Sequence, residues 1–168
     1  MAESALSGDS PIRPRRSDSG AYPVGVVRRF LILIVALSAL AAAESAAGAV
    51  VISRISFDSP GRDTGSNASL NAEWIRIANT GHSRVALTGW RIRDASGKRY
   101  VFGTLSLGAG QSVTLHTGSG PDSARHRYWR QENYVWNNSG DTATLRNRRG
   151  AVVDRCSYRS NADSPFNC

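Results

Sequence analysis

Trp136-Asn137-Asn138-Ser139-Gly140-Asp141-Thr142-Ala143-Thr144-Leu145-Arg146-Asn147-Arg148-Arg149-Gly150-Ala151-Val152-Val153-Asp154 reads as an aromatic, a polar turn, a strand, a tight turn and a second strand. Side chains alternate faces along a strand, so Ala143 and Leu145 share one side while Thr142, Thr144 and Arg146 share the other. One face suits a core and the other suits water. Asn138-Ser139-Gly140-Asp141 leads into the strand with residues that tolerate left-handed backbone or hydrogen-bond their own main chain. The stretch predicts an antiparallel hairpin with strands over 142–146 and 152–157.

Upstream, the same reading gives short strands over 51–57, 73–79, 85–87, 90–93, 99–102 and 112–116, with Ala95-Ser96-Gly97-Lys98 as a hairpin turn. Residues 58–69 read as a long loop of turn formers, and no stretch keeps a helical period. Short strands separated by turn signals describe an antiparallel sandwich. Trp74, Trp90 and Trp136 are the expected bulky residues of the core or its edge.

The run WNNSGDTATLRNRRGAVVD resembles the closing signature of the lamin tail domain family, a small immunoglobulin-like module. Three earlier stretches agree in order. Glu73-Trp74-Ile75-Arg76-Ile77-Ala78-Asn79 is similar to the family's E-W-hydrophobic-x-I-x-N strand, Leu87-Thr88-Gly89-Trp90-Arg91-Ile92-Arg93-Asp94 to its L-x-G-W-x-I-x-D segment, and Leu107-Gly108-Ala109-Gly110-Gln111-Ser112-Val113 to its L-x-x-G-x-S-V turn and strand. The resemblance covers about 51–158. It implies an all-β, immunoglobulin-like antiparallel β-sandwich that serves as a binding or interaction module without enzymatic activity. Such domains occur on nuclear filament proteins and on exported bacterial proteins, where a role in holding nucleic acid, protein or envelope components is inferred. A fold by itself assigns no ligand.

With 168 residues, 40% of them hydrophobic, the chain has room for one ordinary domain and a tail. Its formal charge is +8, and Lys98 is the single lysine. A basic surface attracts polyanions, here nucleic acid or an anionic cell-envelope polymer. The same arginine bias, alongside abundant Ala and Gly, also fits a GC-rich genome without selection for binding. A protein partner stays open beside these two. Cys156 and Cys168 are the only cysteines, and in an exported chain an even count reads first as a disulfide.

Residues 1–49 are expected to form a disordered basic N-region followed by a signal peptide. The Ser-, Pro-, Gly- and Arg-rich start has no periodicity, and Arg28-Arg29 precedes an apolar run from Phe30 to Ala43. Ala47-Gly48-Ala49 is the best small-residue cleavage signal, which puts the folded domain at 50–168 and the product outside the cell. The alternative is an uncleaved N-terminal helix that anchors the chain in a membrane.

The basic-aromatic segment Arg125-His126-Arg127-Tyr128-Trp129-Arg130 lies in a connection over 118–131 that is longer than most hairpin loops. Guanidinium groups pair with phosphate oxygens and aromatic rings stack on bases or sugars, so Arg125, Arg127, Tyr128, Trp129 and Arg130 are candidate ligand-binding residues. Arg148 and Arg149, at the hairpin tip with Arg146 beside them, are a candidate second contact. In the plainer alternative, the aromatics pack on the sandwich edge and the arginines are only solvated.

His82, His116 and His126 sit among serines and aspartates, which keeps a small secreted hydrolase as the competing function. That reading needs His116 or His126 to meet Ser or Asp, and no nucleophile elbow or zinc-protease motif supports it. Asp58, Asp63, Gly65 and Asn67 are faintly similar to an oxygen-ligand calcium loop but lack its spacing. His116-Thr117-Gly118-Ser119-Gly120 lacks the Lys-Ser/Thr pair of a phosphate loop and reads as a segment made flexible by glycine. No catalytic residue, cofactor or metal is expected.

Overall fold

The computed structural model describes residues 50–168. Eleven strands and one short helix follow in order: β1 Val50–Ser56, α1 Asn67–Ala72, β2 Trp74–Asn79, β3 Val85–Ala86, β4 Arg91–Arg93, β5 Arg99–Val101, β6 Ser106–Leu107, β7 Ser112–His116, β8 His126–Tyr128, β9 Gly140–Arg146, β10 Val152–Arg159 and β11 Phe166–Asn167. They form a five-stranded sheet in the order β11-β1-β2-β7-β8, a four-stranded sheet in the order β10-β9-β4-β5, and the small pair β3-β6. This is the immunoglobulin-like all-β sandwich expected from the sequence.

Period-two patterning sets each strand's inward face. Ile75 and Ile77 on β2, with Val113 and Leu115 on β7, turn the five-stranded sheet's apolar side inward, where Ile92, Ala143 and Leu145 of the four-stranded sheet meet it. Burying each of the valine, leucine and isoleucine side chains is worth about 1.5–3 kcal/mol. Trp136 and Phe102 fill the middle at 1% exposure each. Trp90 is buried as expected. Trp74 is not: with Ile75 and Ile77 committed inward, its indole falls on the outer face of the sheet, where the Arg76 guanidinium lies 5.3 Å from the ring centroid.

The hairpin expected over 142–157 is present as β9 and β10, paired from Val152 opposite Arg146 to Arg159 opposite Gly140, with a bulge between Val152 and Asp154. Three strands were not expected. β6 and β11 are two residues long, and β8 runs parallel to β7 at the sheet edge, with Thr114, Leu115 and His116 opposite His126, Arg127 and Tyr128. The loop over 58–69 also differs from expectation, because its end turns into α1. Ser66 caps that turn by accepting the Ser69 N–H on its hydroxyl, and Leu70 is its one buried residue.

Cys156 and Cys168 are joined in a disulfide. Cys156 is buried on β10, at one edge of the four-stranded sheet, while Cys168 follows β11, at the edge of the five-stranded sheet. The bond therefore links the two sheets along one side of the sandwich. The tail is also ordered by its own pairing, Arg54 with Asn167 and Ile55 with Phe166.

Candidate functional site

The basic-aromatic segment divides into residues the fold uses and residues it leaves outside. Trp129 is 7% exposed and packs into the core against Trp136 and Tyr100, so its ring is not a platform for a base or sugar. Tyr128 is half-buried, stacked on His116 at 5.0 Å between centroids. Its ring also lies so close to Gly120 that a Cβ there would sit 2.5 Å from it. Arg127 donates to the carbonyls of Ser123 and, at 3.0 Å, Thr104. Arg130 donates to the Tyr128 carbonyl at 2.9 Å and pairs with Asp122 at 3.3 Å. Arg125 is exposed and borders a pocket of about 260 Å³ with Leu107, Gln111 and Ser112. Arg148 and Arg149 are exposed at the tip of the β9–β10 hairpin, on the other sheet from the Arg125–Arg130 segment.

The glycines after β7 serve close packing rather than flexibility. At Gly118 an added Cβ would lie 2.6 Å from the side-chain oxygens of Asn67 and Asn71, two residues of α1. Both asparagines donate to the Ser119 carbonyl, at 3.0 and 2.9 Å, and Asn67 accepts the Ser119 N–H at 2.7 Å. Asn67 is thus turned toward Ser119, and Asp58 accepts from Asn138 at 3.1 Å. Those two members of the calcium-like loop have protein partners, and no group of three or more His, Cys, Asp or Glu among the described residues could hold a metal ion.

The histidines meet each other. His116 Nδ1 lies 2.8 Å from the Asn71 carbonyl, which only accepts, so this nitrogen carries the proton. His116 Nε2 then accepts from His126 Nδ1 at 3.0 Å. Partial burial holds the His116 pKa below its ordinary value, and the neighbouring His126 acts in the same direction. Neither imidazole contacts a serine hydroxyl or a carboxylate among the described residues, so the His–Ser or His–Asp pair that the hydrolase reading calls for is not formed there. His82 is exposed on the loop before β3.

The polar residues of the family-like motifs make the loops' backbone bonds. Glu73 is fully buried, and its Oε1 accepts from the N–H groups of Val135 and Trp136, at 2.8 and 2.7 Å, and from the Thr117 hydroxyl at 3.0 Å. Its Oε2 has no partner among the described groups, and burial pushes the carboxyl pKa up to about 7 against the opposing pull of those three bonds. Asn79 donates from Nδ2 to the carbonyls of Ser83, Leu107 and Gly108. Asp141 accepts from the backbone of Ala95, Asn137 and Thr142. Asp94 accepts from Gly97 N–H and the Ser96 hydroxyl. These motif residues explain the fold and are unavailable to a ligand.

A family model described as Lamin Tail Domain matches residues 43–160. No curated protein matches the chain.

Proposed function

The chain belongs to the lamin tail domain family, a family of immunoglobulin-like interaction modules, and from that premise we propose that it is an exported, non-enzymatic binding protein for anionic polymers. The observation that carries this reading is the uncompensated positive charge. Against a formal charge of +8, Arg130 pairs with Asp122, and Arg93, Arg99 and Arg155 have no carboxylate partner among the described residues. Of the other carboxylates, Glu73, Asp94 and Asp141 are buried and occupied with backbone donors, so they do not mask surface arginines.

Export is supported by the Cys156–Cys168 disulfide, since such bonds persist in oxidising compartments. It is also supported by the signal-like run in the sequence, which lies outside the described residues. Among those residues no helix is long and apolar enough to cross a membrane. Cleavage after Ala49 would leave Val50, which is buried and pairs with Asn79, as the first residue of both the product and β1. N-terminal sequencing of the mature protein checks this, and a product that still begins at Met1 counts against it.

The binding proposal is tested by screening the full-length chain against duplex DNA, single-stranded DNA, RNA and a polyuronate across a salt series. Binding to at least one of these, with log K falling linearly as log salt rises, is the expected outcome. Absence of binding to all four, or an affinity indifferent to salt, would contradict it.

A further inference from the structure

Strand alternation decides where the arginines of the four-stranded sheet point. Ile92, Ala143, Leu145, Cys156 and Tyr158 are buried in the core. The residues between and beside them must therefore face outward. The register then aligns the outward residues across all four strands. Arg99 lies opposite Arg93, Arg93 opposite Thr144, and Thr144 opposite Arg155. The next row runs from Val101 to Arg91, Arg146 and Val152. Beyond Thr144 the outward positions on β9 and β10 are Thr142 and Ser157, whose hydroxyls lie 2.8 Å apart, and then Arg159 opposite Gly140. No carboxylate occupies any outward position on this face.

Like charges directly opposite in a ladder destabilise it, and this sheet places Arg93 opposite Arg99 and Arg91 opposite Arg146. No carboxylate on this face offsets the repulsion, although Arg146 donates to the Gly150 carbonyl at 2.9 Å. Arg93, Arg99 and Arg155 are exposed, and their guanidinium groups make no hydrogen bond or ion pair among the described residues. Among the described residues, the two exposed large hydrophobic side chains, Val101 at 46% and Val152 at 41%, stand on the same face. The outer side of the other sheet carries fewer charges: Arg54 stands opposite Arg76, and Arg76 opposite Thr114, with Trp74 and Ala78 beside them on β2.

We propose that this outer face of the β10-β9-β4-β5 sheet is a binding site for the phosphate backbone of double-stranded nucleic acid. The inference rests on the anionic-polymer reading above and gives it a place and a ligand. Neighbouring strands are about 4.8 Å apart and outward residues along a strand about 6.7 Å, so five arginines lie within roughly 15 Å of one another. A duplex carries one charge per about 1.7 Å of axis, so several phosphates can meet this array together. The guanidinium fork suits phosphate oxygens, and the Thr144 hydroxyl adds a donor between Arg93 and Arg155. A single strand is held by aromatic stacking along a groove, whereas this face presents arginine, threonine, serine and valine on an open sheet. Readout through the backbone alone makes the binding indifferent to base sequence.

The test compares the full-length wild type with two charge-matched variants on a short mixed-sequence DNA duplex. Arg93→Gln with Arg155→Gln removes two outward arginines from the face, and Arg62→Gln with Arg84→Gln removes two exposed arginines elsewhere. The face variant is expected to bind at least tenfold more weakly and to flatten the slope of log K against log salt by about 2, with the loop variant retaining wild-type values. A second face pair, Arg99→Gln with Arg155→Gln, should reproduce the result and guards against a folding defect in the first. Equal losses in the face and loop variants would overturn the site, as would a single strand or a polyuronate that binds more tightly than the duplex. Absence of binding to any polyanion would instead overturn the broader reading on which the site rests.

Discussion

Glu73 is buried immediately before β2, where desolvation pushes its pKa up to about 7 against 4.5 for an ordinary glutamate. The folded protein thus holds this proton more tightly than the unfolded chain does. The resulting contribution to stability is complete below about pH 4.5 and is lost as pH rises through about 7, a swing of roughly 3 kcal/mol. Glu73→Gln keeps an oxygen for the Val135, Trp136 and Thr117 donors and cannot ionise. Urea unfolding of the variant at several pH values between about 5 and 8 should show a flatter profile than wild type. A variant that retains the wild-type slope would assign the pH dependence to another group. Glu73→Ala, by contrast, strands three buried donors and should cost about 2–4 kcal/mol at any pH in this range. The sequence marks Glu73 only as part of a strand motif. Its burial follows from the inward phase of Ile75 and Ile77, and its three partners come from segments more than 40 residues away, which no local pattern could reveal. Trp74 shows the same limit, because size alone suggests the core while strand phase puts it outside.

The elements legible in the sequence are those whose own side chains alternate. β2, β7, β9 and β10 carry their inward residues at period two and appear close to their expected bounds. β8 has no such signature. His126-Arg127-Tyr128 is held as a strand by backbone pairing to β7, by the His116–His126 hydrogen bond and by the close fit of Tyr128 on Gly120. The basic segment expected to lie in a long connection is instead tied to the sheet edge. α1 is hidden for a different reason: one capped helical turn of six residues is too short to show a period. β11 depends on the chain's last residues reaching β1, with the disulfide holding them. A cross-link enclosing a 12-residue separation is worth about 3 kcal/mol by loop entropy. Cys156→Ser should therefore lower the melting temperature by several degrees under oxidising conditions and leave it near wild type under reducing ones. Melting that is indistinguishable in both conditions would show that the pairing of β11 with β1 suffices without the bond.

Over the whole molecule, the positive charge visible in the composition is arranged by the register. Reading along the chain draws attention to arginines that are close in sequence, such as Arg125, Arg127 and Arg130. The sheet instead gathers Arg91, Arg93, Arg99, Arg146 and Arg155, which come from four separate strands. The available signal was the outward phase of each strand, where arginine, threonine, serine and valine occur without a carboxylate. Turning that signal into a site requires the strand order β10-β9-β4-β5, which short strands do not declare. Titrating isotope-labelled full-length protein with a short DNA duplex, and following the arginine Nε–Hε resonances by NMR, tests the assignment most directly. Shifts concentrated on Arg93, Arg99 and Arg155, reversed by added salt, are the result this account predicts. Shifts confined to Arg125, Arg127 and Arg130, or spread evenly over every exposed arginine, would contradict it.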